Sequence, residues 1–150
     1  MSNAWLIKLA ASFFFLGYAP VASGTVGALG AVPLYWIMPK ALWLYAAVTA
    51  VLFFLGVWVC TRAEQVFGKK DSSRIVIDEV VGFLVTMAGI SSRSWLVIAI
   101  GFLLSRFFDI WRPYPVNKLE SCPHGWGVML DDVAAGVYAN LALRAIMKIL

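Results

Sequence analysis

Carboxylates placed inside apolar runs are the feature of this sequence with the clearest chemical meaning. One doublet lies in IVIDEVVGF, a second lies in MLDDVAAGVYA, and a single acid lies in SRFFDIW; the residues are Asp78, Glu79, Asp109, Asp131 and Asp132. These five come from a total of only eight acidic residues. A charge in apolar surroundings costs free energy unless a partner compensates it. The five acids are therefore the first candidates for a functional site.

Clustered acids of this kind are typical of a site for a hard divalent cation. Carboxylates held close together repel one another, and a bound cation or added protons relieve that repulsion. Carboxylate oxygens suit Mg²⁺, Mn²⁺ or Ca²⁺, whereas structural zinc requires Cys and His clusters that this sequence lacks. Mg²⁺ held by a few carboxylates commonly completes its shell with water and substrate phosphate. The acids therefore predict a divalent-cation site that can handle a phosphate group.

Basic and small residues that could hold a phosphate accompany the acids. Arg106, Arg112 and Lys118 follow or flank the single acid, and His124 lies further along. Arginine is well suited to two-pronged contact with phosphate. The stretch SGTVGALG, residues 23–30, contributes the hydroxyl of Thr25 and glycines ahead of a helix, whose first amides can bind an anion. The same glycine spacing also favours close helix packing, so this signal is weaker.

Simpler structural roles compete for several of these residues. Asp131 could be a helix N-cap, and Asp132 could be a favourable charge in the first helical turn. Arg106 and Asp109 are three residues apart and could form an ion pair with each other alone. His124 lies in a loop rich in Pro and Gly, which favours an incidental role. These roles do not explain why two doublets and a fifth acid recur in one apolar chain.

The composition predicts a membrane protein that positions these acids on helices. Apolar residues make up 62% of the chain and charged residues 13%, against about 25% in soluble proteins. Residues 41–61 carry no charge, which matches the ~20 residues that cross a bilayer. The formal charge of +4 is scattered and forms no stripe, which favours contact with anionic lipid and disfavours nucleic acid. We expect one all-α, multispanning domain over residues 1–150, with short helices around a polar interfacial site.

The order of apolar segments predicts that all five acids reach one membrane face. The predicted helical segments are Trp5–Leu16, Val26–Met38, Leu42–Cys60, Ile75–Gly89, Trp95–Trp111 and Val133–Leu150. The first two are too short to span independently. The connector Arg62–Arg74 carries four basic residues and is therefore predicted to be cytoplasmic. Alternation from that side brings the start of the fourth segment, the end of the fifth and the start of the sixth together. Gly82 and Gly136, each one turn after a doublet, would let these helices approach closely.

With these residues in view, the chain resembles the phosphatidylglycerophosphatase A family of bacterial membrane enzymes. The matching blocks are SGTVGALGAVP (Ser23–Pro33), IDEVVG (Ile77–Gly82), SRFFDIWRPYPVNKLE (Ser105–Glu120) and HGWGVMLDDVAAGVYA (His124–Ala139). They occur in the family's order and cover most of the chain beyond residue 20. Two departures are Ser23-Gly24-Thr25, where the family commonly has Pro-Gly-Thr, and His124-Gly125, where it tends to have a glycine pair.

The resemblance implies a bacterial membrane enzyme, and the basic connector predicts that its active site lies on the cytoplasmic face of the inner membrane. The resemblance also implies Mg²⁺-dependent hydrolysis of phosphatidylglycerophosphate to phosphatidylglycerol and inorganic phosphate. The catalytic and metal-binding residues it implies are Asp78, Glu79, Asp109, Asp131 and Asp132. The substrate phosphate is expected on Arg106, Arg112 and Thr25. Two alternatives stay open: a small ion-coupled transporter, which would place acids near the midplane of a full inverted repeat, and a noncatalytic membrane subunit.

Overall fold

The regular structure is entirely helical in the part of the chain that the structure describes. This structure is a computed structural model, and it describes residues 4–13, 23–68, 75–114, 116–119, 121–122 and 125–149. Its helices are α1 (Ala4–Ala11), α2 (Ser23–Ile37), α3 (Leu42–Phe67), α4 (Ile77–Thr86), α5 (Trp95–Trp111), α6 (Val116–Leu119) and α7 (Gly125–Ile149). The predicted all-α class is therefore confirmed over these residues.

Helix α3 is the element best suited to cross a membrane. Its stretch Leu42–Val66 has a mean hydropathy of 2.2, and among the described helices it alone is long and apolar enough to span a bilayer. The apolar stretch Thr25–Ile37 of α2 is shorter. Helix α4 has only 10 residues, which corresponds to about 15 Å. The coarser prediction of an apolar helical protein stands, and the multispanning arrangement stays a prediction.

Several predicted helix limits differ from the observed ones. Helix α1 ends at Ala11, before the predicted end at Leu16, and residues 14–22 lie outside the described part. Helix α3 continues to Phe67, seven residues beyond the predicted end, because the polar run after Cys60 is itself helical. Helix α7 begins at Gly125, eight residues before the predicted start. The predicted loop between α5 and α7 also contains the short helix α6.

Helix α7 is the central element, since it packs against α3, α4, α5 and α6. Two contacts along each neighbour give its direction. On α3, Gly56 faces Met129 and Thr61 faces Gly125. On α5, Gly101 faces Leu143, and Arg112 just after the helix lies near Asp131. Gly82 of α4 faces Gly136, and further along Asn140 reaches the end of α4. Helices α4 and α7 therefore run in the same direction, opposite to α3 and α5. The starts of α4 and α7 and the end of α5 consequently meet at one end of the bundle, as alternation predicted.

Polar side chains on α7 hold the far end of α4 in place. Asn140 Nδ2 donates to the carbonyl oxygens of Thr86 and Ala88, at 2.8 Å in each case. Arg144 Nη2 donates to the same Ala88 oxygen at 3.0 Å, and Arg144 Nε donates to Asn140 Oδ1 at 2.8 Å. Carbonyls at a helix end need such partners when water is excluded. These bonds fix the position of α4 along α7, and with it the position of the acids at the other end.

Candidate active site

Three buried aspartates form the centre of the candidate site. Asp78 is the second residue of α4, and Asp131 and Asp132 are the seventh and eighth residues of α7. Each offers one carboxylate oxygen, and these three atoms lie within 4.8 Å of one another. The three residues are only 6%, 3% and 4% exposed. The structure thus brings the two doublets together, as predicted. Because α7 begins at Gly125, Asp131 is not an N-cap and Asp132 is not in the first turn.

Two glycines allow the helices that carry these aspartates to touch. A Cβ atom on Gly136 would lie 2.6 Å from the carbonyl oxygen of Gly82, a separation that real structures essentially never show. A Cβ atom on Gly82 would lie 3.1 Å from the carbonyl oxygen of Asp132. Any larger residue would therefore push α4 and α7 apart. This confirms the close helix approach predicted for Gly82 and Gly136.

Arg106 of α5 joins the remaining two acids to this centre. Its Nη1 atom donates to Asp109 Oδ2 at 2.8 Å and lies 3.5 Å from Glu79 Oε1 on α4. Asp109 and Asp132 both line the small cavity described below. The hypothesis of an ion pair private to Arg106 and Asp109 is therefore wrong, because Glu79 shares the guanidinium. All five predicted acids belong to one connected group.

Arg112 lies at the rim of this group and adopts an unusual backbone conformation. It has a φ of 50°, in the left-handed region that costs a non-glycine residue about 1–2 kcal/mol. Its Nε atom donates to the carbonyl oxygen of Asp109 at 3.1 Å, which closes the end of α5. Its Nη1 atom lies 3.7 Å from Asp131 Oδ2. The strained turn thus places a positive charge, one-third exposed, beside the buried aspartates.

A small cavity lies between the acids and Arg106. Its volume is about 10 Å³, which is room for about one water-sized group. Helices α2, α4, α5 and α7 all contribute to its wall, which consists of Ala28, Glu79, Gly82, Phe83, Ser105, Arg106, Asp109, Asp132 and Gly136. Sequence reasoning missed Ala28, Phe83 and Ser105. A signal for Ser105 was present, because it precedes Asp109 by four residues and so shares its helix face.

The other predicted phosphate ligands lie outside this cavity or outside the described residues. Thr25 is half-buried and does not line the cavity, although it precedes the lining residue Ala28 by about one helical turn. Lys118 is exposed, and its ammonium group lies 5.0 Å from the ring centre of Tyr114. His124 lies outside the described residues. Among the predicted basic ligands in the described part, Arg106 and Arg112 are the two that contact the acids.

The charge balance of the site fits a bound divalent cation. Two unit charges 4.8 Å apart repel by about 3 kcal/mol at an effective dielectric constant of ~20. Arg106 lies between Glu79 and Asp109, and the guanidinium of Arg112 lies 3.7 Å from Asp131. Asp132 Oδ2 is buried and accepts no hydrogen bond from the residues that the structure describes. Buried carboxylate oxygens in this situation are suitable ligands for a hard cation such as Mg²⁺.

The fold and the site together define a helical, apolar protein with a carboxylate-lined site of the kind that metal-assisted hydrolases use. Comparison with known proteins gives the family: the profile of phosphatidylglycerophosphatase A matches residues 9–147. The chain therefore belongs to the phosphatidylglycerophosphatase A family, and it is a phosphatase. The family resemblance stated from the sequence motifs is confirmed.

Three relatives show how closely the chain follows this family. It is 35% identical over 139 residues to the phosphatidylglycerophosphatase A of Escherichia coli, covering 91% of this chain and 80% of the relative. It is 38% identical over 143 residues to the Haemophilus influenzae protein of the same name, with coverages of 93% and 88%. It is 39% identical over 149 residues to a candidate phosphatidylinositol-3-phosphatase of Bacteroides thetaiotaomicron, with coverages of 93% and 92%. No solved structure gives a significant match.

Proposed function

We propose that this protein hydrolyses the terminal phosphomonoester of phosphatidylglycerophosphate to give phosphatidylglycerol and inorganic phosphate. The observation that carries the proposal is the group of three buried aspartates, Asp78, Asp131 and Asp132, beside two arginines in a chain of this family. Two relatives bear the name of that activity. A transporter or a noncatalytic subunit is disfavoured, because the family is one of phosphatases.

The five acids divide into two groups with different roles in this proposal. Asp78, Asp131 and Asp132 would hold Mg²⁺, because three of their carboxylate oxygens converge within 4.8 Å of one another. Glu79 and Asp109 orient Arg106, which lies 3.5 Å from the first and 2.8 Å from the second. When bound, Mg²⁺ supplies positive charge to the phosphoryl oxygens and lowers the pKa of a coordinated water. The predicted role of all five acids as ligands is thus refined to three primary ligands and two supporting ones.

The arginines and the acids have separate tasks in the hydrolysis. Arg106 and Arg112 bind the phosphate oxygens, and Thr25 is a third candidate because it lies one turn from the cavity. The bond between phosphorus and the glycerol oxygen breaks, water supplies the new oxygen of the phosphate, and the glycerol oxygen receives a proton. Buried carboxylates next to the phosphate can transfer that proton over a short distance. The charge of Arg106 stabilises the negative charge that develops on the phosphoryl group.

The proposed location is the bacterial cytoplasmic membrane, with several helices spanning it and the acids at the cytoplasmic side. Exposed tryptophans support the spanning of α3 and α5, since Trp and Tyr concentrate at both membrane interfaces. On α3, Trp43 and Trp58 are 74% and 52% exposed and lie about 22 Å apart along the helix. On α5, Trp95 and Trp111 are 69% and 61% exposed and lie about 24 Å apart. A lipid held there keeps its acyl chains in the leaflet while its glycerol phosphate reaches the acids.

A second substrate is worth comparing because of one relative. The Bacteroides thetaiotaomicron protein named as a candidate phosphatidylinositol-3-phosphatase shares 39% of its aligned residues with this chain. Both lipids present a phosphomonoester on a glycerophospholipid head group, so the same acids and arginines can serve either one. The two substrates differ in the alcohol that leaves. Direct competition between them therefore decides the head-group preference.

The deciding experiment measures phosphate release by the purified protein in mixed micelles of each lipid. We expect release from phosphatidylglycerophosphate that stops on addition of a chelator and returns with excess Mg²⁺. Asp131→Asn should abolish this activity, whereas Glu64→Gln, which changes an acid of α3 outside the cavity, should retain it. Faster release from phosphatidylinositol 3-phosphate would reassign the substrate. Activity that survives chelation would refute the Mg²⁺ requirement, and no release from either lipid would refute the proposed function.

A further inference from the structure

An apolar groove lies between α2 and α5 beside the acidic cavity. Its volume is about 550 Å³, within the ~300–1,000 Å³ range of ligand sites. Every side chain that lines it is apolar; the wall includes Leu29 and Val32 of α2 and Ile98, Ala99, Phe102 and Leu103 of α5. Leu29 and Leu103 are more than half exposed, so the groove opens sideways, away from the helical core.

The groove continues the acidic cavity along the same helix faces. On α5, Ile98, Phe102, Ser105 and Asp109 are spaced by four, three and four residues, which places them on one face. The first two line the groove, and the last two line the acidic cavity. On α2, the cavity residue Ala28 is followed directly by the groove residue Leu29. A ligand can therefore occupy both spaces without crossing a helix.

The length of the groove matches one layer of lipid. From Ser105 at the cavity to Trp95 at the far end, α5 rises by about 15 Å. This is about half of the ~30 Å hydrocarbon thickness of a bilayer. At the far end, the rings of Trp36 and Trp95 are 5.6 Å apart between centroids and mark the limit of the groove. Its polar end, apolar wall and length are those expected of a site for an acyl chain joined to a phosphate-bearing head group.

We propose that this groove holds one acyl chain of the phospholipid substrate while the terminal phosphate lies at the acidic cavity. The inference rests on the proposed lipid phosphatase function and extends it to the apolar part of the substrate. Lipid tails offer an acyl chain surroundings as apolar as the groove, so burial alone contributes little. The groove acts instead by orienting the lipid, and small displacements of a reacting group can cost about 100-fold in rate.

A second apolar cavity, of about 340 Å³, can be filled by substitution in the same way as the groove, and it therefore serves as the control in the test of this proposal. It lies against α3 and is lined by Ala50, by Val81 and Val85 of α4, and by Val133. The residues of α4 that line the acidic cavity are Glu79, Gly82 and Phe83, so Val81 and Val85 lie on the opposite face of that helix. The second cavity therefore lies across α4 from the acidic cavity, on the helix face that Asp78 shares with Val81 and Val85. Ala50 and Ala99 are both exposed alanines in apolar cavities, which makes their substitutions comparable.

The test fills each cavity in turn and compares substrates with long and short acyl chains. The variants are Ala99→Trp and Leu103→Trp in the groove and Ala50→Trp in the control cavity. Phosphate release is measured on dipalmitoyl phosphatidylglycerophosphate and on its soluble dibutyryl analogue, with size-exclusion profiles to verify folding. Both groove variants should lower the ratio of long-chain to short-chain kcat/KM by about 10-fold or more, because the long chain loses its orientation. Ala50→Trp should leave that ratio near the wild-type value.

The outcomes separate this inference from the proposed function. No release from either substrate by the wild-type protein would refute the function, and the inference with it. Activity on both substrates with an unchanged ratio in Ala99→Trp and Leu103→Trp would overturn the groove alone. A ratio lowered only by Ala50→Trp would move the acyl chain to the α3 cavity. Equal losses on both substrates in the groove variants also leave the ratio unchanged, and they would likewise overturn the groove as the site of the acyl chain.

Discussion

Asp132 is the residue at which the negative charges of the site meet. Its carboxylate lies within 4.8 Å of those of Asp78 and Asp131, and it shares the wall of the acidic cavity with Asp109. Such an arrangement destabilises the fold when the cation is absent, because like charges repel in a buried site. The same arrangement binds a cation strongly, because each carboxylate supplies a hard oxygen. Stability and metal affinity therefore oppose each other at this position.

Replacing Asp132 with Asn should separate these two effects. Activity should fall by at least about 100-fold, since even outer-shell partners of metal ligands are worth ~10–100-fold. In the presence of a chelator, Asp132→Asn should unfold at a temperature equal to or above that of the wild type, because one of the repelling charges is gone. The wild type should gain more thermal stability from Mg²⁺ than the variant gains. Thermal unfolding with chelator and with Mg²⁺ measures this, and destabilisation of the variant in chelator would contradict it.

The shape of the Arg106 side chain should matter as well as its charge. Its guanidinium contacts Glu79 and Asp109 at once, and it lines the small cavity beside which we place the phosphate. Arg106→Lys keeps the charge but loses the planar, two-pronged donor set. We expect kcat/KM to fall by about 10- to 100-fold, as for the loss of one charged hydrogen bond of ~1.5–3 kcal/mol. Arg62→Lys, on α3 over the ring of Trp58, is the matched control. Equal activity of the two variants would limit Arg106 to a purely electrostatic role.

Contact between helices α4 and α7 fixes the distance between the two acidic doublets. Gly136→Ala would place a methyl group against the backbone oxygen of Gly82, which cannot move aside as a side chain can. We expect a loss of about 1–3 kcal/mol in unfolding free energy, as for overpacked cores, and a matching loss of activity as the aspartates separate. Denaturant unfolding in micelles and phosphate release measure the two effects.

The control for Gly136 is Gly101→Ala on α5. A Cβ atom there would meet the sulfur of Met87, which belongs to a flexible side chain that can adjust. This variant should lose less stability than Gly136→Ala and should retain activity. If Gly101→Ala were the more damaging of the two, packing between α4 and α7 would not be what positions the aspartates.

Helix limits could be predicted from the sequence only where local signals decide them. Helix α5 spans Trp95–Trp111 as predicted, because Ser94 caps its start through a bond from Val97 N, and Pro113 follows its end. The start of α7 was predicted eight residues late, because glycine normally disfavours helix. Gly125 serves a tertiary purpose instead: a Cβ atom there would collide with the backbone of α3 at Val57 and Thr61. Such a requirement becomes visible only when the neighbouring helix is in place.

The convergence of the acids could be predicted because it follows from the order and direction of the helices. Alternating segments bring the starts of α4 and α7 to the end of α5 whatever their detailed packing, and the structure confirms this. The division of roles among the acids could not be predicted. That division depends on which carboxylates Arg106 contacts. Arg106 lies on α5 and contacts Glu79 on α4, so the contact depends on how the two helices pack. The turn at Arg112 could not be predicted either, because a left-handed conformation at a non-glycine residue has no reliable sequence signal.

The orientation of the whole molecule in the membrane can be tested with its own cysteines. Cys60 is fully buried, whereas Cys122 is partly exposed after α6, which packs against α7. If the acidic end faces the cytoplasm, a membrane-impermeant maleimide should label Cys122 in inverted vesicles and leave it unlabelled in right-side-out vesicles. Cys122→Ser should remove the labelling, because Cys60 is inaccessible.

A cysteine at the opposite end of the bundle makes this orientation test reciprocal. Ser91 is exposed between α4 and α5, at the end of the bundle away from the aspartates. In the Cys122→Ser background, Ser91→Cys should be labelled in right-side-out vesicles and protected in inverted ones. Opposite labelling of the two positions requires that the described helices cross the membrane between them. Labelling of both positions from the same side would refute the spanning arrangement, and a reversed pattern would place the acids on the outer face, where they would meet lipid phosphates of the other leaflet.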